Sequence, residues 1–186
     1  MSTSSPVYVL DTNVFVQAHR RHYAFDICPG FWDCLIYHHE TGRIVSIDRV
    51  RDEILAGDAL ETWAKDSAPP SLFAATADAA VVQNYKDMVR WVNANSQFNS
   101  EAKTDFAHVA DAWLCAYAKA KAQHVVVTHE ELSPQAKRRI PIPNVCRRFG
   151  VDYIDPFTML KDLRFASNGV LSRFSTQTCS YPDRYG

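Results

Sequence analysis

At 186 residues, 47% hydrophobic and 22% charged, the chain has the composition of a globular protein and the length to bury a sizeable core. Its formal net charge of −1 identifies no partner, so any polyanion site must come from local charge. The longest apolar runs are too short to span a bilayer, and residues 1–6 have neither a basic n-region nor an apolar h-region, so we expect a cytoplasmic protein with no membrane partner. Its five cysteines, Cys28, Cys34, Cys115, Cys146 and Cys179, are odd in number and lack CxxC spacing. That favours buried thiols over a disulfide scaffold.

In chain order, Val7-Tyr8-Val9-Leu10 is a continuous β-favouring run, read as a buried strand. Asp11 or Thr12 caps a helix over about 12–21, and Pro29 opens another that buries Phe31, Trp32, Leu35 and Ile36 and stops at Gly42. A second strand covers 43–47. Asp48 caps the helix after it, with Val50, Ile54 and Leu55 on the apolar side and Gly57 as its stop. A short helix over 59–66 ends before the breaker Pro69-Pro70. Residues 76–95 read as one long helix with Ala80, Tyr85, Met88, Val89 and Val92 inward, and a helix capped by Thr104 runs through 122. Val125-Val126-Val127 centres a third strand. Ile140-Pro141-Ile142-Pro143 reads as extended, Asn144 caps a short helix ending at Gly150, and 151–154 is the last strand. Asp155-Pro156 starts a final helix to about 165, and 166–186 reads as a polar tail. Strands alternating with helices predict an α/β fold: a three-layer α/β/α sandwich around a mostly parallel sheet, with one domain over 1–165.

Four carboxylates fall at informative places. Asp11 follows the first strand, and Glu130 follows the third after Thr128 and His129. Glu53 lies in Val50-Arg51-Asp52-Glu53-Ile54, and Asp111 lies inside the apolar stretch Val109-Ala110-Asp111-Ala112-Trp113-Leu114. Singly, each has an ordinary reading: a helix cap, surface charge or turn chemistry. Together they are candidates for one site at the carboxyl edge of the sheet, where ligands of open α/β sheets bind.

The order and context of these pieces resemble the PIN-domain family, which includes the VapC-like toxin ribonucleases. The matching segments are Val9-Leu10-Asp11-Thr12-Asn13, Val50-Arg51-Asp52-Glu53-Ile54, Asp111-Ala112-Trp113-Leu114-Cys115-Ala116-Tyr117-Ala118 and Val126-Val127-Thr128-His129-Glu130. A further segment, Phe25-Asp26-Ile27-Cys28-Pro29-Gly30-Phe31-Trp32, is similar to one carried by a PIN-like subfamily. The resemblance implies a metal-dependent endoribonuclease, the toxin of a type II toxin–antitoxin pair, with a cognate antitoxin and a homodimer as expected partners. It places Asp11, Glu53 and Asp111 at the three main acidic positions and Asn13 and Thr128 at supporting polar ones. Glu130 stands where the family usually has Asp.

Clustered carboxylates repel one another, and a hard divalent cation relieves that repulsion; an all-oxygen donor set suits Mg²⁺ or Mn²⁺. Such a cation polarises a phosphoryl oxygen and acidifies water for in-line attack. RNA also needs positive charge beside an acidic pocket. From 132 to 165 there are seven basic residues against three acidic, and Lys137-Arg138-Arg139, just after Glu130, is the candidate RNA contact. Arg49 and Arg51 are further basic residues near the second strand. The aromatics Phe31, Trp32, Trp63, Trp91 and Trp113 read as packing, and the histidines lack a second ligand cluster at zinc spacing. Two rival readings remain. A phosphoaspartate hydrolase needs a carboxylate two residues after Asp11, where Asn13 stands. A PIN-like module without turnover, binding nucleic acid or protein, shares the fold.

Overall fold

The run Val7-Tyr8-Val9-Leu10 is central because nothing along it is suited to water. It forms strand β1 (Val7–Leu10), with Tyr8, Val9 and Leu10 buried. The structure, a computed structural model, describes residues 5–54 and 59–164. On one side of β1 lies β2 (Ile44–Ile47), with Tyr8 opposite Ile44 and Val9 opposite Val45. On the other lies β4 (His124–Val127), in register from Val7 opposite His124 to Leu10 opposite Val127. Outside these are β3 (Phe73–Ala74) and β5 (Asp152–Ile154), so the order is β3-β2-β1-β4-β5 and every pairing is parallel. A parallel central strand is covered on both faces, which is why β2 is buried at all four positions without polar alternation.

The connections are helical: α1 (Thr12–Gln17), continuing as a π-helical turn over Ala18–His22; α2 (Pro29–Glu40); α3 (Asp48–Ile54); α4 (Ala59–Asp66); α5 (Ala79–Ala94); α6 (Ser100–His108); α7 (Ala110–Ala120); α8 (Ile142–Phe149); and α9 (Pro156–Asp162). The expected α/β/α sandwich is the observed architecture, with an all-parallel sheet among the described residues. Phe15, Trp32, Trp63 and Phe73 join in one aromatic layer of the core, so Trp32 and Trp63 pack as expected. Among the described residues no helix is long and apolar enough to cross a membrane. Cys34, Cys115 and Cys146 are free and buried, as the thiol reading expects, whereas Cys28 is disulfide-bonded.

Several boundaries differ from expectation, and two of them shape the site. The stretch after residue 100 is not one helix capped by Thr104. Asn99 caps α6 by accepting from the Ala102 amide at 2.9 Å, and Thr104 sits inside α6, bonding the Ser100 carbonyl at 3.0 Å. The chain then leaves helical geometry at Val109 (ψ 167°) and restarts as α7, which puts Asp111 in a new first turn. Likewise Ile142 and Pro143 are helical rather than extended. Pro141 is the N-cap of α8, where a missing N–H costs nothing. Asn144 does not cap α8; its side chain exchanges two bonds with Ser133, at 2.7 and 2.9 Å. The long helix starts later than expected, at Ala79, capped by Asp78, and buries Val81 while Ala80 is exposed. The two-residue β3 was not expected, since nothing in so short a segment shows periodicity. Leu55, Gly57 and the tail over 166–186 lie outside the described residues.

Candidate functional site

Asp11 follows β1, and its amide prolongs the ladder to the Val127 carbonyl at 3.1 Å. The residue is only 1% exposed. It occupies the N-cap position of α1, but its side chain bonds no helix amide that would make it a conventional cap. Instead its Oδ2 accepts from the Thr128 hydroxyl at 2.9 Å, across the gap between β1 and β4. Burial pushes its carboxyl up to about 7. The charges of Glu130 and Glu53 push the same way, while Thr128 and the Thr12 amide act against them.

Asp111 is the second residue of α7. Burial, then the charges of Asp11, Glu130 and Glu53, raise its carboxyl to about 8. The fold therefore brings the four carboxylates singled out in the sequence into mutual electrostatic reach.

The two glutamates are held differently from the two aspartates. Glu53 accepts from the Ala110 amide at 2.8 Å with Oε1, and the Thr12 hydroxyl donates to its Oε2. It ties the start of α1 to the start of α7. Glu130 accepts from the Ile142 amide at 2.7 Å with Oε2 and from Arg139 Nη1 at 3.4 Å with Oε1. Each glutamate thus takes a helix-terminal N–H that the helix cannot satisfy itself. Thr128 joins the two sets: its hydroxyl donates to Asp11 and accepts from the Glu130 amide at 3.1 Å.

Asn13 is exposed on the first turn of α1. Lys137, Arg138 and Arg139 are exposed as well, and Arg139 reaches the site through Glu130. Beside Glu130, an open groove of about 640 Å³ follows the ends of β4 and β5, lined by Thr128, His129, Tyr153, Asp155 and Phe157 among others. Among the described residues no three His, Cys, Asp or Glu side chains form a ready-made metal cage. The donor set nevertheless suits a hard cation: the buried Asp11 and the half-buried Asp111 are held above their ordinary range by desolvation and neighbouring negative charge, and a cation relieves both causes.

Sequence reading missed Thr12, which bonds Glu53, and the Ala110 and Ile142 amides, which engage the glutamates. Thr12 sits beside Asp11 in the first motif and carried a detectable signal as a hydroxyl next to the acid. The amides carried none, because the break at Val109 has no glycine or proline to mark it.

Fold and site together define an α/β sandwich with a carboxylate cluster at the carboxyl edge of its central strands. The chain belongs to the family described as domain of unknown function DUF4411, whose model matches residues 8–167. No curated protein and no solved structure matches the chain.

Proposed function

We propose that the protein is a metal-dependent endoribonuclease of PIN-like type, with Mg²⁺ or Mn²⁺ held by Asp11 and Asp111 and supported by Glu53 and Glu130. The observation that carries the reading is the convergence of four carboxylates from separate parts of the chain, two of them raised to about 7 and 8. A structural carboxylate gains by finding a cation or several donors. Asp11 has few donors for its burial, which is the arrangement of a ligand site rather than of a helix cap.

When bound, the cation supplies Lewis acidity toward a phosphoryl oxygen and lowers the pKa of water. The chain's own contributions are separate. Thr128 orients Asp11 by donating to Oδ2. Glu53 and Glu130 fix the first turns of α7 and α8 and add negative charge. Arg139, paired with Glu130, carries positive charge at the rim, and Lys137 and Arg138 extend it for the RNA backbone. Hydrolysis leaves 5′-phosphate and 3′-hydroxyl ends. The reading extends to a toxin role, with a cognate antitoxin covering the pocket. A small adjacent reading frame whose product co-purified with the chain would support that extension.

The purified protein is tested on several RNAs with Mg²⁺, with Mn²⁺ and with EDTA. Cleavage with either metal, abolished by EDTA, is the expected result. Binding without cleavage across all RNAs favours a PIN-like binding module instead.

A further inference from the structure

Arg49 lies on the first turn of α3, exposed, four residues before Glu53 and therefore on the same helix face one turn away. Its guanidinium carbon stands 5.1 Å from the centroid of the Trp113 ring. Trp113 is stacked on Tyr85 at 3.8 Å with the rings within 9° of parallel, and the Tyr85 hydroxyl donates to the Ala107 carbonyl at 2.9 Å. Ala110, whose amide binds Glu53, is three residues before Trp113. Arg49–Trp113 and Glu53–Ala110 are thus two successive rungs between the same two helices, α3 and α7. The second rung belongs to the carboxylate site, and the first holds a cation one turn away. Among the described residues no carboxylate pairs with this guanidinium.

An arginine braced on an aromatic stack keeps its planar fork of N–H donors oriented at reduced entropic cost, and that fork matches phosphate. Arg139 pairs with Glu130, which follows β4, on the opposite side of β1 from β2 and the helix α3 that carries Arg49. We propose that Arg49 is a phosphate-binding residue: it contacts a phosphate of single-stranded RNA next to the one at the carboxylates, so that the strand crosses the site between Arg49 and Arg139. This rests on the ribonuclease reading for its ligand. A purely structural arginine could instead cover the Trp113 face with its aliphatic stem, and the test separates the two.

Binding of a fluorescein-labelled single-stranded oligouridylate is measured by anisotropy in the Asp11→Asn background, across a series of KCl concentrations. Arg49→Met keeps a stem over Trp113 and removes the charge; Arg49→Lys keeps the charge. We expect Arg49→Met to weaken binding about tenfold at low salt and to flatten the slope of log K against log salt by about 0.7, with Arg49→Lys recovering most of the slope. Arg90→Ala on α5, an equal loss of charge from an exposed position, is the control and leaves the slope within error. Arg49→Met binding like its parent overturns the inference, as does an equal loss in the Arg90→Ala control. Wild-type cleavage with Mn²⁺ is run alongside. Cleavage with an unchanged Arg49→Met slope removes this residue and leaves the ribonuclease reading. A changed slope without cleavage keeps Arg49 as a phosphate contact and removes the hydrolysis. Absence of RNA binding by the parent removes Arg49's role outright.

Discussion

Among the described residues, Asp11 and Asp111 are the carboxylates whose charge the folded protein opposes. The rise of Asp11 from 3.8 to about 7 corresponds to roughly 4 kcal/mol between its two protonation states. A carboxyl raised on folding binds its proton more tightly in the native state, so its contribution to stability is full below the unfolded pKa near 4 and is lost as pH rises through 7 to 8. Asp111, raised to about 8, acts in the same window. Metal-free protein should therefore lose stability between pH 5 and 8.5. Asp11→Asn, which cannot ionise, should lose markedly less and should be more stable than wild type at pH 8.5 by some kcal/mol. Urea unfolding in EDTA at three pH values reads this directly, and parallel curves for the two proteins would contradict it. Sequence made both aspartates visible, one by its place after a β-branched run and one by its isolation among apolar neighbours. It could not show their protonation, because that depends on burial and on charges 19 to 119 residues distant in the chain.

At the scale of elements, α7 and α8 both begin on a glutamate contributed from elsewhere. Neither has a side-chain cap of its own: Val109 and Pro141 stand at the N-cap positions, and neither side chain offers an acceptor. Glu53 and Glu130 supply it, and their charge also favours the positive end of each helix. Glu53→Ala leaves the Ala110 amide without that acceptor and unties Thr12, so it should cost about 1–3 kcal/mol, whereas Glu53→Gln keeps an acceptor oxygen and should cost about 1 kcal/mol or less. Thermal and urea unfolding of the two variants at pH 6 check this; equal losses would mean that charge, not acceptance, holds α7. The same comparison explains what sequence reading lost here. Periodicity showed apolar residues from 106 to 117 and so joined α6 to α7. The break at Val109 is set by a long-range partner for Ala110, which no local pattern encodes. The start of α8 was hidden in the same way behind Pro141 and Pro143, whose local bias reads as extended.

For the whole molecule, the strand order does the assembling. β1 and β4 are adjacent and parallel, so whatever follows each of them emerges at one edge, and Thr128 can bond Asp11 although 117 residues separate them. This much was legible: valine-rich runs followed by acids imply central strands that deliver carboxylates to a common edge. Helix-borne Glu53 and Asp111 were legible as candidates only, since their arrival depends on how α3 and α7 pack. On the function proposed above, this edge uses a divalent cation to cleave RNA. The most direct test of that function is single-turnover cleavage of an end-labelled RNA in Mn²⁺, wild type beside Asp11→Asn with folding of both verified by circular dichroism. Metal-dependent cleavage by wild type and a loss of roughly a hundredfold or more in the variant are expected. Full metal-dependent cleavage by Asp11→Asn would contradict the proposal.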